Sequence, residues 1–174
     1  MLSYRHAFHA GNHADVLKHL LLVQLIQYLK QKDKPFWVID THAGAGLYAL
    51  ESGYATKLNE YEAGIGRLWS RTDLPAPLAE YVDLVRALNP DGKLRLYPGS
   101  PWLALHAMRE QDRLKLFELH SSDARHLQEN FKDAGRRVTI AASDGFGGLK
   151  ALLPPPPRRG LILIDPSYEM REDY

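Results

Sequence analysis

"FWVIDTHAGAG", residues 36–46, is the stretch from which the fold is read. Phe36 to Ile39 form a short apolar run of strand length, and the chain then enters a glycine-rich turn. Gly44 and Gly46 make a G-x-G without the third glycine of the dinucleotide fingerprint. Alone, that motif fits a ligand-binding turn and a ligand-free one equally well. The rest of the chain decides between them. "LKLFELH" (114–120), "RVTIAAS" (137–143) and "GLILIDP" (160–166) are three further runs that read as strands. Helical patterns at about 122–134 and 146–153 separate them. Strand, helix, strand, helix, strand is the order of a parallel sheet with right-handed crossovers. The expected class is α/β, a doubly wound sheet with its ligand at the carboxyl ends of the strands.

One interval is too long for a simple crossover. From Asp40 to Glu118 is 78 positions, whereas a strand–helix–strand unit needs only about 30 residues. The excess contains two amphipathic patterns, "NEYEAGIGRLW" (59–69) and "LAEYVDLVRALN" (78–89). Residues 51–98 are therefore expected to form a helical insertion. A helix after it returns to the sheet, with Ser100 as N-cap and Pro101 at its first position. Ahead of the first strand, apolar positions from Ala14 to Lys30 follow helical spacing. The last strand is apolar on both faces, which is usual for a central strand. Residues 1–174 are accordingly read as the N-terminal part of one larger domain.

Composition excludes several classes. The 174 residues are 45% hydrophobic and 25% charged, with a net charge of +1. That is one ordinary globular domain without a global basic field, and nucleic-acid binding would rest on a local patch. There is no cysteine, which removes disulfides, thiolate zinc sites and Cys nucleophiles. "MLSYRHAFHAG" lacks the apolar segment of a secretory signal. "LLLVQLIQYL" (20–29) is too short to span a bilayer. The expected location is cytoplasmic.

All four strand tips carry a carboxylate, although acids are disfavoured in strands. Glu118, at the second tip, can accept both hydroxyls of a ribose; an isolated Glu there is otherwise a solvated strand end. Asp144 and the Gly145 amide, at the third tip, offer an acceptor beside a donor, suited to the edge of an adenine; Asp144 is equally suited to cap the next helix. At the fourth tip stand Asp165, Pro166 and Tyr168. An exocyclic amine is a poor nucleophile because its lone pair is delocalised into the ring. A carboxylate and a backbone carbonyl accepting its two hydrogens draw that lone pair out of the plane. Pro166 fixes the local backbone, and an aromatic ring such as Tyr168 stacks on a base that has left its duplex. Read blandly, the same residues are an Asp-Pro turn with a packed tyrosine. The histidines of "YRHAFHAGNHADVLKH" (4–19) lack the ligand spacing of zinc sites, so no metal is expected. That stretch reads either as a mobile polar arm or as an arm folding over a ligand, with Lys18 or His19 reaching an anionic group.

The segments "YRHAFHAGNHADVLKH", "DTHAGAG", "YPGSP", "DGF" and "RGLILIDPSYEM" together resemble the bacterial RlmJ-type 23S ribosomal RNA adenine-N6 methyltransferases over the whole chain. The resemblance implies a Rossmann-like class I methyltransferase sheet with a small helical insertion. It implies S-adenosylmethionine as the methyl donor, 23S rRNA as the substrate partner, no membrane association and a monomeric full-length protein. His19, His42, Ser100, Glu118, Asp144 and Gly145 then fall at cofactor-binding positions, with Lys18 and Gly44 as further neighbours. Asp165 falls at the catalytic position and Tyr4 at a contact to the substrate RNA. The family's Asp-Pro-Pro-Tyr has Ser167 in place of its second proline here, for which a looser turn is expected. The family chain continues with the remaining strands, so 174 residues alone are expected to have weak or no activity.

Two other acceptors fit the same four-residue chemistry, a DNA adenine and a protein amide. A non-catalytic nucleotide- or RNA-binding module is the alternative from a different class. A dehydrogenase fits less, because the full G-x-G-x-x-G is absent.

Overall fold

The computed structural model describes residues 9–50 and 59–167. Its centre is a four-stranded parallel sheet of β1 (Trp37–Asp40), β4 (Arg113–Phe117), β5 (Val138–Ala141) and β6 (Gly160–Leu163). The spatial order is β5-β4-β1-β6, so the chain starts in the middle, winds outward through β4 and β5, then crosses to the other side of β1. The register sets Asp40 beside Leu116 and Leu163, which brings three strand ends level. Helices α6 (Ser121–Asn130) and α7 (Gly145–Leu152) are the crossovers to β5 and β6.

The mixed α/β class with a parallel sheet is as the sequence indicates, and the differences are local. The second strand stops at Phe117 and the fourth at Leu163, so Glu118 and Asp165 lie beyond the ladder. A second sheet was not expected: β2 (Leu47–Ala49) and β3 (Leu96–Pro98) pair antiparallel, Tyr48 opposite Tyr97. Three-residue strands are too short to show a period of two. The amphipathic pattern at 59–69 is two short helices, α2 (Glu60–Ala63) and α3 (Gly66–Trp69), rather than one. They separate at Gly64, where a Cβ would lie 2.1 Å from the Gly11 carbonyl oxygen, and the next amide, Ile65 N–H, donates to that oxygen at 2.9 Å. Helix α4 (Ala76–Ala87) follows, and α5 (Ser100–Ala107) returns to the sheet.

Helix α1 (His13–Lys30) begins earlier than the apolar period indicates, because the Asn12 side chain accepts the Asp15 amide as an N-cap. Lys18 and His19 are therefore held on a packed helix and do not belong to a mobile arm. The core joins α1, α4, α5 and one sheet face, with Ile26, Phe36, Tyr81, Tyr97, Leu103, Leu114 and Leu116 essentially inaccessible. Strand β6 forms one edge of the described sheet, and Ile162 and Ile164 are 38% and 47% exposed. Among the described residues no helix is long and apolar enough to cross a membrane.

Candidate active site

A cleft of about 740 Å³ opens where the strands end, within the roughly 300–1,000 Å³ usual for small-molecule and cofactor sites. The β1 tip supplies its floor. Gly44 has φ +62°, and a Cβ there would lie 2.2 Å from the Tyr48 hydroxyl, so glycine is required for this turn. Glu118 follows β4 and spans the turn: one carboxylate oxygen accepts Gly44 N–H and the other His120 N–H, each at 2.7 Å. A carboxylate has about four acceptor positions, so two remain for a ligand's hydroxyls. The side chain is thus fixed in place by two backbone amides and still able to bind.

Helix α7 points its first turn at the same space. Asp144 is its N-cap, accepting Phe146 and Gly147 N–H at 3.2 and 2.7 Å. Gly145 packs so closely on the β1 tip that a Cβ would lie 2.2 Å from the Thr41 carbonyl oxygen. Phe146 meets the His42 ring edge-on at 5.4 Å, giving the cleft an aromatic wall. The Thr41 hydroxyl donates to Leu163 O at 3.1 Å. Its single proton being spent there, it accepts from His42 Nδ1–H at 2.8 Å, and in the neutral ring Nε2 faces away with its lone pair.

Beneath the cleft lies a buried polar layer. Asp40 is 2% exposed, and its carboxylate accepts the Ser100 hydroxyl at 2.7 Å and His42 N–H at 3.1 Å. Burial raises its pKa, opposed by those two hydrogen bonds and by Lys18. Ser100 was expected to cap α5, but Gly99 occupies the cap position and the hydroxyl turns inward to the acid. His19 is buried; its Nδ1 lies 2.8 Å from the Tyr97 hydroxyl, and Tyr97 is 2.8 Å from Tyr81. Burial holds both tyrosines above their ordinary pKa. On the opposite wall Lys18 Nζ lies 2.7 Å from Asp165 Oδ2 and 2.8 Å from Asp15 Oδ1.

The described candidate residues therefore gather in one place. Lys18, His19, His42, Gly44, Ser100, Glu118, Asp144, Gly145, Asp165 and Pro166 all line the cleft, with Ser167 beside them. Tyr4 and Tyr168 lie outside the described residues. Sequence reasoning missed Asp15, Thr41 and Tyr48. Only Asp15 carried a signal, its i, i+3 spacing to Lys18 on a helix.

The lining chemistry tests which ligand fits. Among the described residues it carries five carboxylates, Asp15, Glu118, Asp123, Asp144 and Asp165, against one lysine and no arginine. This set disfavours a pyrophosphate and suits a ligand that carries positive charge and hydroxyls. S-adenosylmethionine, with a sulfonium, an ammonium and a ribose diol, fits. No group of three or more potential metal ligands occurs among the described residues.

An order of β5-β4-β1-β6 with a cleft at its strand tips defines a Rossmann-like α/β domain. Comparison narrows the class. A family model described as "Ribosomal RNA large subunit methyltransferase D, RlmJ" matches residues 33–174, and the chain belongs to that family. It is 58% identical over its whole length to "Ribosomal RNA large subunit methyltransferase J" of Escherichia coli K12, covering 62% of that protein. It is 53% identical to the protein of the same name from Haemophilus influenzae, again covering 62%. A crystal structure of a Legionella pneumophila protein assigned to family DUF519 superposes with a TM-score of 0.88 at 44% identity, over 95% of this chain and 61% of that one. The chain thus spans about three fifths of the length of these relatives.

Proposed function

We propose that this chain carries the cofactor site and the amine-orienting group of an S-adenosylmethionine-dependent methyltransferase that modifies N6 of an adenine in 23S rRNA. The observation that carries the reading is the convergence of Glu118, Asp144 and Asp165, from three separate strand ends, on one acidic cleft. Family membership supports ribosomal RNA as the substrate class.

In this reading the two free acceptor positions of Glu118 take the ribose hydroxyls. Asp144 and the Gly145 amide meet the cofactor's adenine, beside the His42–Phe146 wall. When bound, the cofactor supplies an electrophilic methyl group on a sulfonium. Asp165 does the chain's own part of the chemistry. Its carboxylate accepts a hydrogen bond from the target amine, aligns the lone pair, and takes up the released proton as the new N–C bond forms. The Asp-Pro peptide limits the backbone freedom of Asp165 just past the end of β6. Tyr168 is the stacking surface for the extruded base and Tyr4 a further RNA contact.

The test is an incubation of the full-length protein with labelled S-adenosylmethionine and protein-free, unmodified 23S rRNA, with duplex DNA and a peptide amide in parallel. Label on adenine N6 of the rRNA alone is expected. Labelling of DNA alone would replace the acceptor assignment. Cofactor binding with no transfer to any acceptor would favour a binding module.

A further inference from the structure

Lys18 joins two carboxylates from opposite ends of the chain. Asp15 stands in the first turn of α1, is 3% exposed, and accepts Gly11 N–H through Oδ2 at 3.0 Å. Its Oδ1 faces Lys18 Nζ at 2.8 Å. The same ammonium reaches Asp165 Oδ2 at 2.7 Å, 147 positions along the chain. Burial opposes the Lys18 charge, and the charges of Asp15 and Asp165 outweigh it, so its pKa lies above the ordinary value. Asp165 itself follows β6 in a segment without regular structure. Backbone geometry alone therefore leaves its two side-chain torsions free to rotate.

We propose that Lys18 is the positioning residue of the Asp165 carboxylate, and that Asp15 aims Lys18. The role of the pair in methyl transfer rests on the reading above; the contact itself does not. With Oδ2 fixed by the ammonium, Oδ1 is the oxygen presented to the amine, and among the described residues nothing donates to it. Lys18 has three N–H donors. Two are used on these acids, and that use, more than a contact to the cofactor's carboxylate, is its principal task. An exposed ion pair would be worth little. This one has side chains 20% and 37% exposed, so geometry and partial burial both favour a persistent contact.

Two measurements on the full-length protein test the proposal. A double-mutant cycle of Lys18→Met and Asp165→Asn, read by urea denaturation, is expected to be non-additive. Additive losses would overturn the contact whether or not the protein methylates RNA. Single-turnover methylation with Lys18→Met is expected to slow about a hundredfold, the scale of a misplaced catalytic group. S-adenosylmethionine affinity, measured by calorimetry, is expected to stay at the wild-type value, and Lys18→Arg to recover most of the rate. A normal rate in Lys18→Met, or a rate loss that saturating cofactor fully restores, would overturn the positioning role. If wild type transferred no methyl group, the functional reading would fail, while the cycle would still decide the contact.

Discussion

The Ser100 hydroxyl donates to Asp40 Oδ2 at 2.7 Å beneath the cleft floor, coupling the start of α5 to the end of β1. Asp40 is buried and its pKa is raised above the ordinary 3.8, chiefly by burial. The folded state therefore holds the proton more readily than the unfolded chain. The stability Asp40 contributes is present below about pH 3.8 and is lost as pH rises through the folded value. Ser100→Ala withdraws a donor from the charged form. A loss of about 1–3 kcal/mol is expected where Asp40 is ionised, shrinking as pH falls through its folded value. Urea titrations at several pH values check this, and Asp40→Asn is expected to flatten the pH slope in that range.

Gly145→Ala is expected to destabilise the protein by about 1–3 kcal/mol through overpacking. Helix propensity alone points the other way, since Ala is favoured over Gly by about 1 kcal/mol inside a helix. The added Cβ would lie 2.2 Å from the Thr41 carbonyl oxygen, which belongs to the β1 tip and cannot move cheaply. Thermal denaturation separates the two effects by sign.

Glu118→Gln keeps the shape of the side chain but replaces one of its two carboxylate oxygens with a donor. Both oxygens now accept a backbone N–H at 2.7 Å, so one of those amides, Gly44 or His120, loses its acceptor. Each hydrogen bond to a charged group is worth about 1.5–3 kcal/mol. S-adenosylmethionine binding is expected to weaken about tenfold to a hundredfold, as read by calorimetry.

Tyr97→Phe removes the hydroxyl shared by His19 Nδ1 and the Tyr81 hydroxyl. Both partners are buried, and a loss of about 1–3 kcal/mol is expected. Tyr81→Phe, at the far end of the chain of hydroxyls, is expected to cost less, because the His19 contact survives. Denaturation of the two variants side by side checks the order.

The parallel sheet was legible because helical patterns separate its later strands and its first and last strands are apolar runs that lead into acids, at Ile39–Asp40 and Ile164–Asp165. Glu118 and Asp144 were legible for the same reason. The cap role of Asp144 and its place in the cleft proved compatible, as a carboxylate has acceptor positions for both. The remaining features depend on distant partners. Serine before proline is a common cap, and nothing local reveals that Asp40 captures the Ser100 hydroxyl. The break at Gly64 is set by the Gly11 carbonyl, on another segment. The spacing of Asp15 and Lys18 shows a helical pair but cannot show Asp165 as the third member. Helix α1 has more leucines than one buried face can take, and periodicity did not tell that Leu17, Leu21 and Leu25 face outward.

The central claim is that Asp165 acts on the amine and does not merely hold the cofactor. Its most direct test is single-turnover transfer of a labelled methyl group to unmodified 23S rRNA by Asp165→Ala in the full-length protein, with S-adenosylmethionine affinity measured on the same sample. Transfer is expected to fall by at least about a hundredfold while cofactor affinity stays close to wild type. Transfer at the wild-type rate would contradict the claim.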